Sequence, residues 1–330
     1  MRQRGLVWLL CLTLPLTLAA RVRALEAEEL IPGGSAVGIE LTADGVMIVG
    51  LTEVETEQGT ASPAAEAGLL VGDVIRGIDG RGITNVAAFL TAMGGLNSGA
   101  HRLEVQRDGE MLTLTATPAR NREGAYQFGL FLRDGVSGIG TVTFYDPVSG
   151  TFGALGHGIN DLDTGRLLPF DDGSITDAEV VDVIPGKPGN PGELCGEFDG
   201  AAVLGSLRKN TESGIFGTAL QETLGSPIPV GKENEVVLGP AVIRSCVDGG
   251  AVEEYAVEIS RIYRDPADNR FLLVTVTDPA LLAVTGGIVQ GMSGSPIIQN
   301  GKLVGAVTHV LISDPTKGYG ISMERMLQAA

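Results

Sequence analysis

The chain has 330 residues, of which 44% are hydrophobic and 19% charged, and this length and balance allow two folded domains and exclude a largely disordered protein. Glycine is abundant, at 48 residues, whereas aromatic residues make up only 5%, so short strands joined by tight turns are favoured over long helices. The formal net charge of −17 makes the surface acidic. Because an acidic surface repels phosphate backbones, no nucleic acid is expected as a partner.

The first 24 residues predict an export segment that is not part of the fold. Arg2 and Arg4 precede an almost wholly apolar run at 6–18, and small residues at 20–24 suit a cleavage site. The run is shorter than the roughly 20 residues that span a bilayer, which favours cleavage of a signal peptide. Pro15 and the arginines after the run leave an uncleaved anchor as the alternative. We therefore expect an exported protein that is secreted or held near a membrane.

The cysteines and histidines predict no metal or organic cofactor. Cys11 lies in the export segment, so Cys195 and Cys246 remain, either paired in an oxidising compartment or present as buried thiols. The three histidines lie far apart, and no Cys-x-x-Cys spacing accompanies them.

Residues 31–118 predict short strands with two helical pieces, and the stretch SPAAEAGLLVGDVIRGIDG at 62–80 is distinctive. Its helical Ala-Gly turn, Gly-Asp pair, strand and Asp-Gly turn resemble a PDZ domain, which implies capture of a peptide by strand addition. By position, the loop that holds a peptide carboxylate would be formed by Ala36, Val37, Gly38 and Ile39. The groove would lie between the following strand and the helix at 86–93. Alternatively, this domain only packs against its neighbour.

Residues 126–330 continue the alternation of strands and turns, and helices are scarce until the C-terminal end. This pattern predicts an all-β domain made of one barrel or a pair of barrels.

The stretch GMSGSP at 291–296 precedes an apolar hairpin. It resembles the nucleophile loop of chymotrypsin-like serine peptidases, in which glycines permit a tight turn. Ser293 would be the nucleophile, and the backbone amides of Gly291 and Ser293 would form the oxyanion hole. The alternative is an ordinary turn rich in glycine and serine.

His157 is the residue predicted to act as the general base. It follows an apolar strand, lies between two glycines and precedes Ser293 in the chain, as in chymotrypsin-like folds. His309, 16 residues after Ser293, could line the substrate cleft, although a strand histidine with its own partner is the commoner case.

The residues leave the orienting acid open among three aspartates. Asp161 and Asp163 follow His157 closely, and either could instead form a turn or a helix cap. Asp278 ends an apolar strand 15 residues before Ser293, and spacing alone would not select it.

The whole chain resembles the stage IV sporulation protein B serine peptidase family, with a PDZ domain followed by a chymotrypsin-like double β-barrel. The resemblance rests on GIGTVTFYDPVSGTFGALGHGINDLDTG at 138–165, on SGIFGT at 213–218 and above all on the stretch at 286–320. It implies that His157 is the base, Asp278 the orienting acid and Ser293 the nucleophile of a serine endopeptidase.

The same resemblance implies a role in endospore formation. Members of the family are exported into the space between the two membranes around the forespore and cleave themselves near the N-terminus, here between Leu25 and Gly34. They then cleave the regulatory subunit of an intramembrane metalloprotease, which releases processing of a late sigma-factor precursor.

Two other functions compete with this one. The first is a secreted PDZ scaffold whose peptidase domain is catalytically silent. The second is an ester hydrolase, which is disfavoured because the chain lacks a Gly-x-Ser-x-Gly elbow between a strand and a helix.

Overall fold

The computed structural model describes residues 29–170, 172–198, 200, 202–221, 225–264 and 269–330. The predicted export segment and its cleavage zone up to residue 28 lie outside these ranges. No helix in the described part of the chain is long and apolar enough to span a membrane.

The described residues form a mainly β protein. The elements of the N-terminal part are β1 (Glu29–Pro32), β2 (Ala36–Leu51), β3 (Val54–Thr56), β4 (Gly59–Ala61), α1 (Pro63–Glu66), β5 (Val74–Ile78), β6 (Arg81–Gly82), α2 (Val86–Met93), β7 (His101–Arg107), β8 (Glu110–Ala116), β9 (Ala119–Arg120) and β10 (Tyr126–Gln127). The middle part contains β11 (Leu130–Tyr145), β12 (Thr151–Ala154), β13 (Asp172–Asp177), β14 (Glu179–Ile184), β15 (Glu193–Glu197), β16 (Val203–Thr211), β17 (Gly214–Ala219) and β18 (Ile228–Pro229). The C-terminal part contains β19 (Gly239–Ser245), β20 (Glu253–Ile262), β21 (Leu272–Val276), α3 (Pro279–Thr285), β22 (Pro296–Gln299), β23 (Lys302–Val310), β24 (Lys317–Ser322) and α4 (Met323–Ala329).

The first barrel closes in the order β2-β13-β16-β17-β12-β11, because β11 also pairs with β2. Its core contains buried residues from alternate positions of these strands, including Ile39, Phe152 and Ile215. Such alternation places apolar side chains on the inner face and polar ones on the outer face.

The PDZ-like region is inserted between the first two strands of this barrel. It packs α1 and α2 against β5, β7 and β8, with Ile75, Phe89 and Leu103 in its core. The buried Asp73 carboxylate accepts hydrogen bonds of 2.7 Å from the Arg107 guanidinium, which satisfies its charge.

The predicted carboxylate-binding loop at Ala36–Ile39 is wrong. These residues open β2, where Val37 is paired with Gly140 of β11 on one edge and with Asp177 of β13 on the other. A strand with partners on both edges has no free row of amides to offer a peptide. Residues 36–42 therefore belong to the barrel, and only the later part of β2 belongs to the PDZ-like sheet, where it pairs with β5.

The second barrel closes in the order β19-β20-β21-β24-β23-β22. Ile243, Ile259 and Ile297 are among the fully buried residues of its core. The prediction of a mainly β fold with a PDZ-like region and a chymotrypsin-like pair of barrels is confirmed. Cys195 and Cys246 are both free thiols.

Candidate active site

His157 is presented by a sharp turn after β12. Leu155 and Gly156 both have left-handed backbone conformations, with φ of 68° and 71°, so the chain reverses immediately after the strand. A left-handed leucine is unfavourable, and strained residues of this kind concentrate at functional sites. The turn holds the half-buried His157 at the edge of a cleft.

The protonation of the His157 ring is set by a backbone carbonyl. Nδ1 lies 2.8 Å from the Gly158 carbonyl oxygen, which only accepts, so Nδ1 carries the proton and Nε2 is left as the basic nitrogen. Burial lowers the pKa of His157, and the Gly158 carbonyl offsets part of that effect. The imidazole is therefore neutral at neutral pH, as a general base must be.

The predicted nucleophile loop at 291–295 folds against the turn that presents His157. Gly291 and Gly294 adopt φ of 94° and 101°, which glycine tolerates best. A Cβ on Gly294 would lie 2.6 Å from the Leu155 nitrogen, so the loop closely approaches the turn before His157. The Ser293 hydroxyl donates to the Thr308 carbonyl at 2.6 Å. Thr308 lines the cleft beside His157, but among the described residues no hydrogen bond joins Ser293 to His157.

The two backbone amides predicted to form the oxyanion hole make no hydrogen bond to any described residue. The Gly291 and Ser293 amides donate to no other described group, whereas their carbonyl oxygens both accept from Thr141. Two free amides that flank a serine hydroxyl are the donors that a developing oxyanion requires.

The cleft beside His157 has a volume of about 390 Å³ and polar walls. The His309 ring lies 4.8 Å from that of His157, centroid to centroid, which places it in the cleft as the sequence allowed. The charged lining residues are Glu212, Arg270 and Arg325. No group of three or more acidic, histidine or cysteine residues in the described part of the chain could hold a metal ion.

Neither Asp161 nor Asp163 contacts His157 among the described residues. Arg133 of β11 pairs with both carboxylates, at 2.7 Å for Asp163 and at a very short distance for the fully buried Asp161. Burial opposes the charged form of Asp161, but the Thr164 amide and Arg133 outweigh it and keep the pKa of this carboxyl below its usual range. These aspartates anchor the loop after His157 to β11.

Asp278 caps helix α3 and does not touch His157 in this structure. Its carboxylate accepts hydrogen bonds from the amides of Ala256, Ala280 and Leu281 at 3.1, 2.9 and 3.3 Å. These amides, Ala256 first, lower the pKa of Asp278. The orienting role implied by the resemblance therefore has no contact to support it here, while the capping role is fully accounted for.

We expect Asp278→Asn to keep near-normal reactivity, because asparagine caps a helix as well as aspartate does. Its rate of covalent labelling at Ser293 by a fluorophosphonate probe should stay within about threefold of wild type, whereas losing an orienting acid costs about 10⁴-fold. Asp278→Ala should lower stability by about 1 kcal/mol through the lost cap. A 10⁴-fold loss in the asparagine variant would restore the orienting assignment.

The structure also reveals a peptide-sized groove beside α2, the helix that the sequence predicted as one wall, but its other wall is not the predicted strand. It has a volume of about 550 Å³ and lies between α2 and the segment 124–132, with Leu90 and Met93 on the helix side. The Phe128 and Gly129 amides donate to no described group, and their carbonyls are turned away to Ala64 and Thr52. The start of β11 pairs only with β2 among the described strands, so its other edge is open.

The sequence pattern indicated a binding loop before the PDZ-like motif, at 36–39, whereas this loop follows the motif. The available signal was a glycine between two apolar residues, FGL at 128–130, just before a strand. Thr141, Gly158 and Thr308 were missed for a different reason. They act through backbone groups or through a hydroxyl in an apolar strand, and neither produces a motif.

Two family models match the chain. The family described as SpoIVB peptidase S55 matches residues 124–327, and a PDZ domain matches residues 38–117. No curated protein matches the chain.

Solved structures show partial similarity at low identity. The Rv3671c protease of M. tuberculosis in its active form is 14% identical, with 59% of this chain and 73% of that chain covered and a TM-score of 0.34. The HtrA-type protease AlgW with a decapeptide is 12% identical, with 59% and 52% covered and a TM-score of 0.33. The PDZ domain of the SdrC-like protein from Listeria monocytogenes is 20% identical, with 28% and 90% covered and a TM-score of 0.23.

Proposed function

Because the chain belongs to the SpoIVB peptidase S55 family and is a serine endopeptidase, we propose that it is the exported protease that signals during endospore formation. The observation that carries the peptidase site is the loop at 291–295, where a serine hydroxyl and two free amides lie against the turn that presents His157. The sporulation role rests on the family match.

The proposed reaction is acyl transfer to Ser293. The hydroxyl turns from the Thr308 carbonyl towards Nε2 of His157, which takes its proton as the oxygen attacks a peptide carbonyl. The Gly291 and Ser293 amides stabilise the resulting oxyanion. His157 then protonates the leaving amine, and water releases the acyl group. The Gly158 carbonyl holds the tautomer throughout.

The PDZ-like region supplies a second contact with the substrate in this proposal. A peptide would add to the open edge of β11 beside α2, with apolar side chains against Leu90 and Met93. A substrate held there is kept close to the cleft, which raises its effective concentration at Ser293. The substrates we propose are the N-terminal segment of the protein itself and the regulatory subunit of an intramembrane metalloprotease.

Self-processing is the most direct test. Full-length wild-type protein incubated alone should yield a shortened product whose new N-terminus lies between Leu25 and Gly34, as measured by mass spectrometry. Ser293→Ala should yield none. The same product from both proteins would assign the cleavage to another protease. If the wild-type chain stays intact but its Ser293 still reacts with a fluorophosphonate, the peptidase assignment is supported and self-processing is rejected.

The biological role needs a test in the spore-forming host. A strain whose only copy carries Ser293→Ala should engulf the forespore but accumulate the unprocessed sigma-factor precursor. The matched strain with Ser295→Ala should sporulate, because the Ser295 hydroxyl contacts only Ser245 among the described side chains. Normal spores from the Ser293→Ala strain would reject the signalling role.

The competing function is a catalytically silent scaffold. The free amides of the nucleophile loop disfavour it, since a scaffold has no use for two unpaired donors beside a serine.

A further inference from the structure

Thr141 of β11 holds the nucleophile loop from the opposite barrel. Its amide donates to the Ser293 carbonyl at 3.0 Å, and its hydroxyl donates to the Gly291 carbonyl at 2.8 Å. Thr141 is 1% exposed, so these hydrogen bonds are shielded from water. One buried residue thus binds the carbonyls of both residues whose amides form the oxyanion hole.

The surrounding contacts leave the loop little freedom. The Leu155 amide donates to the Thr141 carbonyl at 3.2 Å, which ties Thr141 to the turn before His157. A Cβ on Gly294 would lie 2.0 Å from the Thr141 carbonyl oxygen, so no other residue could approach so closely. On the far side, the Leu194 amide donates to the Gln290 carbonyl at 2.9 Å.

These contacts set the direction of the amides. The Gln290 carbonyl and the Gly291 amide belong to one peptide plane and point in opposite directions, so the bond from Leu194 turns that amide away from β15. The Thr141 hydroxyl holds the Gly291 carbonyl and so the peptide plane between Gly291 and Met292, and the Thr141 amide holds the plane between Ser293 and Gly294. The plane that carries the Ser293 amide lies between these two, and the Ser295 amide holds it by donating to the Met292 carbonyl at 3.0 Å. Preorganised donors stabilise an oxyanion because no reorganisation is needed during the reaction.

We propose that Thr141 is a positioning residue of the oxyanion hole and that its hydroxyl fixes the Gly291–Met292 peptide plane, which lies between the Gly291 and Ser293 amides, for the tetrahedral intermediate. The proposal rests on the peptidase site described above. Thr141 touches neither the substrate nor Ser293 Oγ. Its effect passes through the Gly291 carbonyl, so loss of the hydroxyl should slow the chemical step without weakening substrate binding.

The chain offers a matched control two residues further along the same strand. Thr143 is fully buried, and its hydroxyl has no hydrogen-bond partner among the described residues. Replacing an unpaired buried hydroxyl by a methyl group of similar shape is neutral or stabilising. Thr143→Val therefore reproduces the change of shape and polarity in Thr141→Val without removing a hydrogen bond.

The test compares Thr141→Val, Thr141→Ser and Thr143→Val in the full chain. The readouts are the fluorophosphonate labelling rate at Ser293 and kcat and KM for p-nitrophenyl acetate. Removal of an oxyanion donor costs about 10²-fold to 10³-fold in kcat, so misalignment of one donor should cost about tenfold, with KM unchanged. Thr141→Ser and Thr143→Val should stay within about twofold of wild type.

Equal rates for Thr141→Val and wild type would overturn the proposal, as would a serine variant as slow as the valine variant. If the Thr141→Val variant does not fold, the test compares Thr141→Ser with Thr141→Ala, because these two variants differ only in Oγ. Equal rates for these two variants would overturn the proposal. An unreactive but folded wild type would contradict the peptidase site itself, which is a separate result.

Discussion

Ser293→Ala is expected to abolish hydrolysis and covalent labelling. Without the hydroxyl there is no nucleophile, and loss of the catalytic serine typically lowers kcat by about 10⁶-fold in serine proteases. The assay is hydrolysis of p-nitrophenyl acetate, together with fluorophosphonate labelling followed by peptide mapping. The label should be found on the peptide that contains Ser293.

Ser295→Ala is the control for that experiment. Ser295 lies in the same loop, but it is fully buried and its hydroxyl contacts Ser245 at 3.3 Å. We expect this variant to lose about 1 kcal/mol of stability and to keep its labelling rate. Labelling that persists in Ser293→Ala, or disappears in Ser295→Ala, would show that the nucleophile is misassigned.

Arg133→Met is expected to cause a large loss of stability. Arg133 is the cationic partner of Asp161, whose side chain is 0% exposed, whereas that of Arg133 is 30% exposed. Removal of one partner of a fully buried ion pair costs about 3–5 kcal/mol, because the other charge is left uncompensated, and the exposure of Arg133 places the expected loss towards the lower end of that range. The measurement is the midpoint of urea unfolding at neutral pH.

Two further variants distinguish this ion pair from a general effect of losing an arginine. Arg166→Met removes the exposed pair with Asp108, whose side chain is 73% exposed, and should cost less than about 1 kcal/mol. Adding Asp161→Asn to Arg133→Met removes the buried charge and should recover part of the loss. A loss in Arg133→Met no larger than that in Arg166→Met would contradict the role of the pair.

The contribution of Asp161 also has a defined pH dependence. Its pKa in the folded protein is lowered, so the stability it contributes is present above the ordinary carboxyl pKa and is lost as the pH falls through the folded value. As the pH falls, the difference in free energy of unfolding between wild type and Arg133→Met should therefore become smaller.

The turns that present Ser293 and His157 followed from the sequence because they depend on local features. The glycines around Ser293 and before His157 adopt the left-handed conformations that the turns require, and such preferences act over a few residues. The mainly β fold and the two kinds of domain were predictable for the same reason, since alternation and turn residues are read within short segments.

The orienting acid was not predictable from the residues. An aspartate before Pro279 reads equally well as a helix cap or as a catalytic acid, and only the positions of the Ala256, Ala280 and Leu281 amides assign Asp278 to the cap. In the same way, Arg133 lies 28 residues before Asp161 in the chain, and no motif connects them.

The sequence by itself determined that two kinds of β domain are present, and it predicted Ser293 and His157 as the nucleophile and the base. Tertiary structure alone decided that β2 begins in a barrel, that the PDZ-like region is inserted into that barrel, and that the segment 124–132 forms the other wall of the groove beside α2. The physical reason is that an alternating strand has the same pattern in either sheet. Its partners are chosen by hydrogen bonds between residues about a hundred positions apart, such as Val37 and Gly140.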